Sequence, residues 1–300
     1  MPAVSPSNET TPSPTSHTFV DGHGVTVHYY VGKAAKPRAV LQLAHGLGEY
    51  AGRHSNLAEQ LAASGISVYA DDHRGHGQTG LTQNNGDHSK LGALGVGGLR
   101  AAVADLHQLT GIIQKENPGQ PIVFLGHSWG SLMGQRLIND HAADFAAVIL
   151  TGTAYRTPGS MNGGNLNAKH KHLGTTGYEW LSRDTAVSQA FADDPLTFYA
   201  DALKLFGVAD GLRLFGRPSK PLPKDVPLLI MIGSEDSLGG ENSVRKLAES
   251  YINRGGLTDV TVEIYTEARH EIFHETNKAE VVRDVLHWLD ERLDPSYEHH

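Results

Sequence analysis

The sequence predicts an α/β protein: a mostly parallel, twisted sheet with helices on both faces and one helical insertion. Three observations carry this. Short β-branched or apolar runs alternate with longer segments at helical spacing, the pattern of a sheet whose parallel strands are joined by helical crossovers. The alternation lapses between Tyr155 and about Leu222, where no convincing buried strand stands. It resumes at about Pro223 and runs to the last helix.

Val25 to Val31 alternates like an exposed-edge strand, and Ala39 to Ala44 is a short apolar run ending in His45-Gly46. Leu57, Leu61 and Ala62 sit at helical spacing and stop at Gly65; Ile66 to Ala70 is the next strand. Leu99, Val103, Leu106, Leu109 and Ile113 mark a long amphipathic helix, ended by Asn117-Pro118-Gly119. Pro121 to Leu125 is a buried strand that meets Gly126 at once, and a helix begins near Gly130. Ala147 to Leu150 and Pro227 to Ile232 are further buried strands. Asn242 to Arg254 is a helix closed by Gly255-Gly256, Val260 to Tyr265 the last strand and Val281 to Leu293 the last helix. Between the two halves lies a stretch with Gly163-Gly164, a basic cluster at Lys169 to His172 and helical pieces around Trp180 and Phe198 to Phe215. The expected organisation is a tail over 1–16, a core domain over 17–154 and 223–294, a helical cap over 155–222, and a C-terminal tail over 295–300 whose Glu298-His299-His300 resembles a tag remnant.

Composition narrows the function. Of 300 residues 39% are hydrophobic, ample for one large core. The net charge of −8 offers no basic footprint for nucleic acid. With no cysteine there is no disulfide, no thiolate metal site and no cysteine nucleophile. No apolar run reaches the roughly 18 residues of a membrane span. The Pro-, Ser- and Thr-rich start, MPAVSPSNETTPSPTS, lacks the basic and apolar parts of a signal peptide, so a cytoplasmic location is expected.

Gly126-His127-Ser128-Trp129-Gly130 matches G-x-S-x-G. A strand that turns into a helix this sharply forces the serine into a strained conformation and needs flanking residues without a Cβ. Here the motif follows Ile122-Val123-Phe124-Leu125 and opens a helix through Leu132, Met133 and Leu137. An ordinary strand-to-helix turn with two glycines is the plain alternative. Serine needs a base, and the base an orienting acid, in the chain order serine, acid, histidine. The strand ending at Ile232 leads into Gly233-Ser234-Glu235-Asp236, and the strand ending at Tyr265 into Ala268-Arg269-His270-Glu271. Both Glu235 and Asp236 are open as the acid. His270 and His274 have the spacing of two ligands on a helix, but no third ligand is in register, so no metal is expected. With 18 histidines in the chain, proximity alone means little. His73 and His76, in Asp72-His73-Arg74-Gly75-His76-Gly77, are expected to order their loop, and Lys169 to His172 to form a solvated face.

Several motifs now stand in one order. Leu43-Ala44-His45-Gly46-Leu47-Gly48-Glu49-Tyr50-Ala51-Gly52-Arg53, Asp72 to Gln78, Gly126 to Gly130, Gly233 to Asp236 and Arg269-His270-Glu271 resemble the linked motifs of the monoacylglycerol lipase and lysophospholipase-like family. The resemblance covers about 18–154 and 223–293 and is weak over the cap. It implies the α/β-hydrolase fold, with Ser128 as nucleophile, Asp236 as orienter and His270 as base. It further implies an oxyanion hole from the backbone N–H groups of Leu47 and Trp129, supported by His45, Gly46, Gly126 and Gly130. Two departures stand out: Trp129 where these lipases usually carry methionine, and Gly130-Ser131 in place of two glycines. A Ser-Trp-Gly elbow is also similar to that of proline-releasing aminopeptidases, but those usually show His-Gly-Gly-Pro-Gly where this chain has His45-Gly46-Leu47-Gly48-Glu49.

The expected reaction is hydrolysis of a carboxylic ester through an acyl-enzyme, without metal or organic cofactor. The resemblance implies monoacylglycerol or a similar medium-to-long monoester, with proline-releasing peptidase or xenobiotic esterase as alternatives. The expected partner is a small-molecule ester, with transient lipid contact through the cap. Phe198, Leu203, Leu205, Phe206, Leu212 and Phe215 offer enough apolar surface there for one acyl chain.

Overall fold

The computed structural model describes residues 13–293. Among the described residues eight strands form one sheet: β1 Thr15–Val20, β2 Thr26–Gly32, β3 Ala39–Ala44, β4 Ile66–Asp71, β5 Ile122–His127, β6 Ala147–Thr151, β7 Leu228–Gly233 and β8 Val260–Tyr265. Their order is β1-β2-β4-β3-β5-β6-β7-β8. β1, β2 and β4 pair antiparallel; from β4 across to β8 every neighbour is parallel.

The α-helices among the described residues are α1 Ser55–Ala63, α2 Gly77–Gln83, α3 Gly98–Glu116, α4 Trp129–His141, α5 Thr185–Asp193, α6 Ala202–Arg213, α7 Gly240–Ser250 and α8 Lys278–Leu293. The period of two along each central strand sorts its side chains into two cores. Val40, Phe124, Val148 and Ile230 pack with Leu106 of α3, Met133 of α4 and Leu247 of α7. Their neighbours Leu41, Val123, Ile149 and Met231 pack on the other face with Leu61 of α1 and Val285 and Leu289 of α8. β3 to β7 are buried along their whole length, which is why they read as uninterrupted apolar runs.

The sequence reading departs from the structure at several elements. The tail expected over 1–16 ends sooner, because Thr15 and Ser16 already stand in β1; residues 1–12 of that tail, and the C-terminal tail over 295–300, lie outside the described residues. β1 escaped notice because Phe19 alone of its residues is buried, leaving no alternation to read. With β1 outside it, β2 is not an edge strand but is paired on both sides. The Gly- and Thr-rich α2, GQTGLTQ, carries no apolar period and was not expected. Trp180 lies in a turn, while the helices of 155–222 are α5 and α6. α6 is broken at Gly207, which takes φ 69°, ψ 178°.

Candidate active site

The parallel strands deliver four loops to one rim of the sheet, beyond the carboxyl ends of β3, β5, β7 and β8. Ser128 follows β5 and precedes α4, with φ 51° and ψ −119°. A non-glycine residue so far from the allowed regions costs about 1–3 kcal/mol and persists only when its surroundings dictate it. They do. A Cβ on Gly126 would stand 2.7 Å from the Gly130 carbonyl oxygen. One on Gly130 would stand 2.6 Å from the His45 carbonyl oxygen and closer still to that of Ala44. The two glycines therefore let the turn close and let it press against the loop after β3. Trp129 is the first residue of α4, so its N–H has no intrahelical acceptor.

The loops after β7 and β8 are stitched together. Ser234 N–H donates to Tyr265 O at 2.9 Å and Glu235 N–H to Ala268 O at 2.9 Å. His270 Nδ1 lies 3.0 Å from both carboxylate oxygens of Asp236. Asp236 Oδ1 also accepts the Leu238 N–H at 2.7 Å, which orients the carboxylate. Both side chains are essentially inaccessible to solvent. With Nδ1–H donating to Asp236, Nε2 carries the lone pair; it is buried and unpartnered. Burial lowers the pKa of His270, but the charge and hydrogen bond of Asp236 outweigh it, and the net shift is upward from 6.5. Glu235 points elsewhere: its half-exposed carboxylate pairs with Lys169 and its carbonyl accepts from His170 Nε2 at 3.1 Å. The cluster expected as a solvated face is thus partly a clasp on the loop after β7. Ser128 is partly exposed, and among the described residues no hydrogen bond joins its Oγ to His270. Such bonds are often long without substrate and tighten on binding.

The loop after β3 is held by a buried charge network absent from the sequence reading. Glu49 Oε1 accepts the Gly46 N–H at 2.5 Å and lies 3.2 Å from His54 Nε2; Oε2 pairs with Arg53 at 2.7 Å. Arg53 also grips Glu271, the neighbour of His270, with two bonds of 2.5 and 2.8 Å. His274 joins through Glu271 at 3.3 Å and donates from Nε2 to Arg53 O at 2.9 Å, so it belongs to this network. Burial alone would raise the carboxyl of Glu49, but His54 and Arg53 hold it well below its usual range. Glu271 is depressed in the same way by Arg53 and His274. The (i, i+4) spacing of Glu49 and Arg53 was the available signal, yet it reads as an ordinary surface pair.

His73 orders its loop as expected. Its backbone N–H donates to His45 Nε2 at 3.0 Å, and its ring nitrogens reach Asp71 Oδ2 at 2.7 Å and His45 O at 3.2 Å. Burial opposes its protonation but Asp71 prevails, raising its pKa. His76 donates from Nδ1 to Arg74 O at 3.0 Å and stacks on Trp129, ring centroids 5.3 Å apart.

The 155–222 segment closes over these loops. Trp180 lies against His270 at 4.5 Å, Phe206 against Trp129 at 5.4 Å and Phe198 against His76 at 5.2 Å. The Phe198 N–H donates to Gly48 O at 3.0 Å, beside Leu47. Leu212 instead is 64% exposed, so it does not line a buried pocket; the Leu203 side chain lies outside the described residues.

Comparison with known proteins agrees with this geometry. The family described as serine aminopeptidase, S33, matches residues 35–277. A monoacylglycerol lipase of Mycolicibacterium smegmatis is 29% identical over 289 residues, covering 92% of this chain and 97% of that protein. The human monoglyceride lipase is 29% identical over 271 residues, covering 85% and 84%. Among solved structures, a thermostable carboxyl esterase of Bacillus coagulans superposes with a TM-score of 0.79 at 23% identity, covering 94% of this chain and 100% of that one. A soluble variant of the Saccharomyces cerevisiae monoglyceride lipase gives 0.74 at 21%, covering 97% and 99%. The match over most of its length and the shared architecture together make this chain a member of the serine aminopeptidase S33 family, with the α/β-hydrolase fold.

Proposed function

We propose that this chain is a serine ester hydrolase with Ser128 as nucleophile, His270 as general base and Asp236 as orienter, acting on monoacylglycerols or similar medium-to-long monoesters. The observation that carries the reading is the buried His270–Asp236 pair, whose Nε2 is left unbonded at the rim where the strained Ser128 stands. His270 Nε2 takes the Ser128 proton as Oγ attacks the ester carbonyl. The tetrahedral oxyanion is held by the N–H groups of Leu47 and Trp129. The bond to the alcohol breaks, and His270 returns its proton to the departing oxygen. Water, deprotonated by His270, then attacks the acyl-enzyme, and the acid leaves. Asp236 keeps Nδ1 protonated and stabilises the imidazolium that forms twice per turnover. His45, Gly46, Gly126 and Gly130 give the two loops their close approach, and no metal or cofactor enters any step.

The relatives named monoacylglycerol lipase support the substrate class. So do Phe198 and Phe206, which stand over the rim as the wall of an acyl pocket. We assign residues 155–222 as the cap and 17–154 with 223–294 as the core domain. Leu173, Tyr199, Val208 and Leu212 are exposed on the cap and suit brief contact with a lipid surface. Among the described residues no helix is long and apolar enough to cross a membrane. The family's description also raises aminopeptidase activity. A peptidase of that kind must hold the substrate's α-ammonium, and Glu49 and Glu271 are already engaged by Arg53, His54 and His274. Hydrolysis of monoacylglycerols of graded chain length, emulsified triacylglycerol and proline amides tests the reading. kcat/KM is expected to rise with acyl length until the pocket fills, since each buried CH₂ is worth about 0.8 kcal/mol. Faster cleavage of triacylglycerol or of proline amides than of monoacylglycerol would overturn it.

A further inference from the structure

We propose that His107, His141 and Asp144 form a binding site for a single divalent transition-metal ion of the zinc type, remote from the catalytic rim. They come from two parts of the chain: His107 from the middle of α3, and His141, the last residue of α4, with Asp144 from the short turn that follows it. Their ligating atoms lie within 4.8 Å of one another. One carboxylate oxygen, Asp144 Oδ2, is 3.1 Å from His107 Nε2 and 3.9 Å from His141 Nδ1. A tetrahedral ion with bonds of about 2.0–2.1 Å sets its ligands about 3.3–3.5 Å apart, so these separations bracket what zinc demands.

The surroundings favour a cation. Gln114 stands two helical turns beyond His107 on the same face of α3, and its Nε2 donates to Asp144 Oδ1 at 3.2 Å. That bond fixes the carboxylate and leaves Oδ2 toward the two imidazoles, as an outer-shell partner of a metal ligand does. The C-terminal end of α4 adds its own negative potential at His141. The two imidazoles are stacked, with ring centroids 3.6 Å apart. They must splay for both lone pairs to meet one ion. Both side chains are about 40% exposed, which leaves solvent space for the rotation. Two imidazoles and a carboxylate without thiolate suit zinc, with water completing the tetrahedron.

Ser128 precedes the first residue of α4 and His141 ends it, so the site lies about 18–20 Å from the nucleophile along the 13-residue helix. At that distance the ion takes no part in the reaction. It clasps the end of α4 to α3, and its effect is on stability.

The test uses zinc chloride alone, with the full-length protein freed of metal, by calorimetric titration and thermal melting. The wild-type protein is compared with Asp144→Asn and with the double variant His107→Asn/His141→Asn. Exposed histidines elsewhere contribute equally to all three, so the difference reports this site. The wild type is expected to bind one more zinc equivalent than either variant. Its Tm is expected to rise by about 3 °C or more at a hundredfold excess over Kd, with at least half of that rise lost in the variants. Each melting shift is taken with and without zinc in the same protein, so a small change in metal-free stability does not enter. Gln114→Ala is expected to weaken the site about tenfold. Equal zinc stoichiometry and equal melting shifts in the wild type and both variants would overturn the proposal.

Discussion

The loops at the carboxyl ends of β3, β5, β7 and β8 meet α6 across the same rim, yet the two regions are held in opposite ways. The loops are cross-linked by buried charges and backbone hydrogen bonds: Asp236 on His270, Arg53 between Glu49 and Glu271, Glu235 N–H on Ala268. α6 meets the rim through an aromatic contact, Phe206 on Trp129, and then breaks at Gly207; its hydrogen bonds, Asp210 accepting the Leu99 N–H at 3.1 Å and Arg213 O accepting from Arg136 at 2.8 Å, lie beyond the break. Beyond the break Val208 and Leu212 are 74% and 64% exposed. Hydrogen bonds and ion pairs specify positions to a few tenths of an ångström, whereas apolar contact specifies only that surface be covered. The loop side chains at the rim are therefore held by directional bonds, and α6 meets them there by apolar contact.

That contrast predicts a graded series of effects. Asp236→Asn removes the charge that orients His270 and is expected to lower kcat by about 10⁴-fold, with KM little changed. Glu235→Gln breaks only a part-exposed pair with Lys169 and should cost less than about fivefold. Steady-state kinetics of the two variants check this, and the reverse ranking would overturn the choice of Asp236. Glu49→Gln comes next. It leaves Arg53 undercompensated and weakens the acceptor of the Gly46 N–H, so the loop carrying Leu47 loses its anchor. A fall in kcat of about 10²-fold is expected, as for a lost oxyanion donor, together with a lower Tm. Unchanged kcat would show that the loop is held by its glycines alone.

The pH profile sharpens the same point. The base must be neutral to accept a proton, and Asp236 raises His270 above 6.5 against the opposing effect of burial. The acid limb of kcat/KM is therefore expected above pH 6.5, and in Asp236→Asn the residual activity should have its limb at lower pH. A limb that stays in place would separate it from His270. The smallest effect belongs to α6. Phe206→Ala should raise KM for long-chain esters up to about tenfold, the worth of part of an aromatic side chain's burial since Phe206 is half-buried, and leave short-chain turnover nearly unchanged.

What the sequence reveals follows the same division. The strands from β3 to β7 are legible because burial on both faces compels continuous apolar runs, and β8, only partly buried, by the alternation of Val260, Val262 and Ile264. The elbow is legible because its sterics compel glycine at 126 and 130. Order along the chain and a strand end sufficed to find His270 and to narrow the acid to Glu235 or Asp236. Only the fold sets Asp236 against His270 and turns Glu235 toward Lys169. Arg53 and Glu271 are 218 residues apart, and no local pattern announces such a pair. β1 and α2 stayed hidden because neither buries a periodic face. In residues 155–222 the apolar side chains were visible but their directions were not: Phe206 faces Trp129, whereas Leu212 faces solvent.

The central claim is that Ser128 is the nucleophile. It is tested most directly by a fluorophosphonate probe followed by peptide mapping, on the wild type and on Ser128→Ala of matching circular dichroism. The account predicts one equivalent of adduct on Ser128 in the wild type, and neither labelling nor ester turnover in the variant. An adduct at another residue, or persistent labelling of Ser128→Ala, would contradict it.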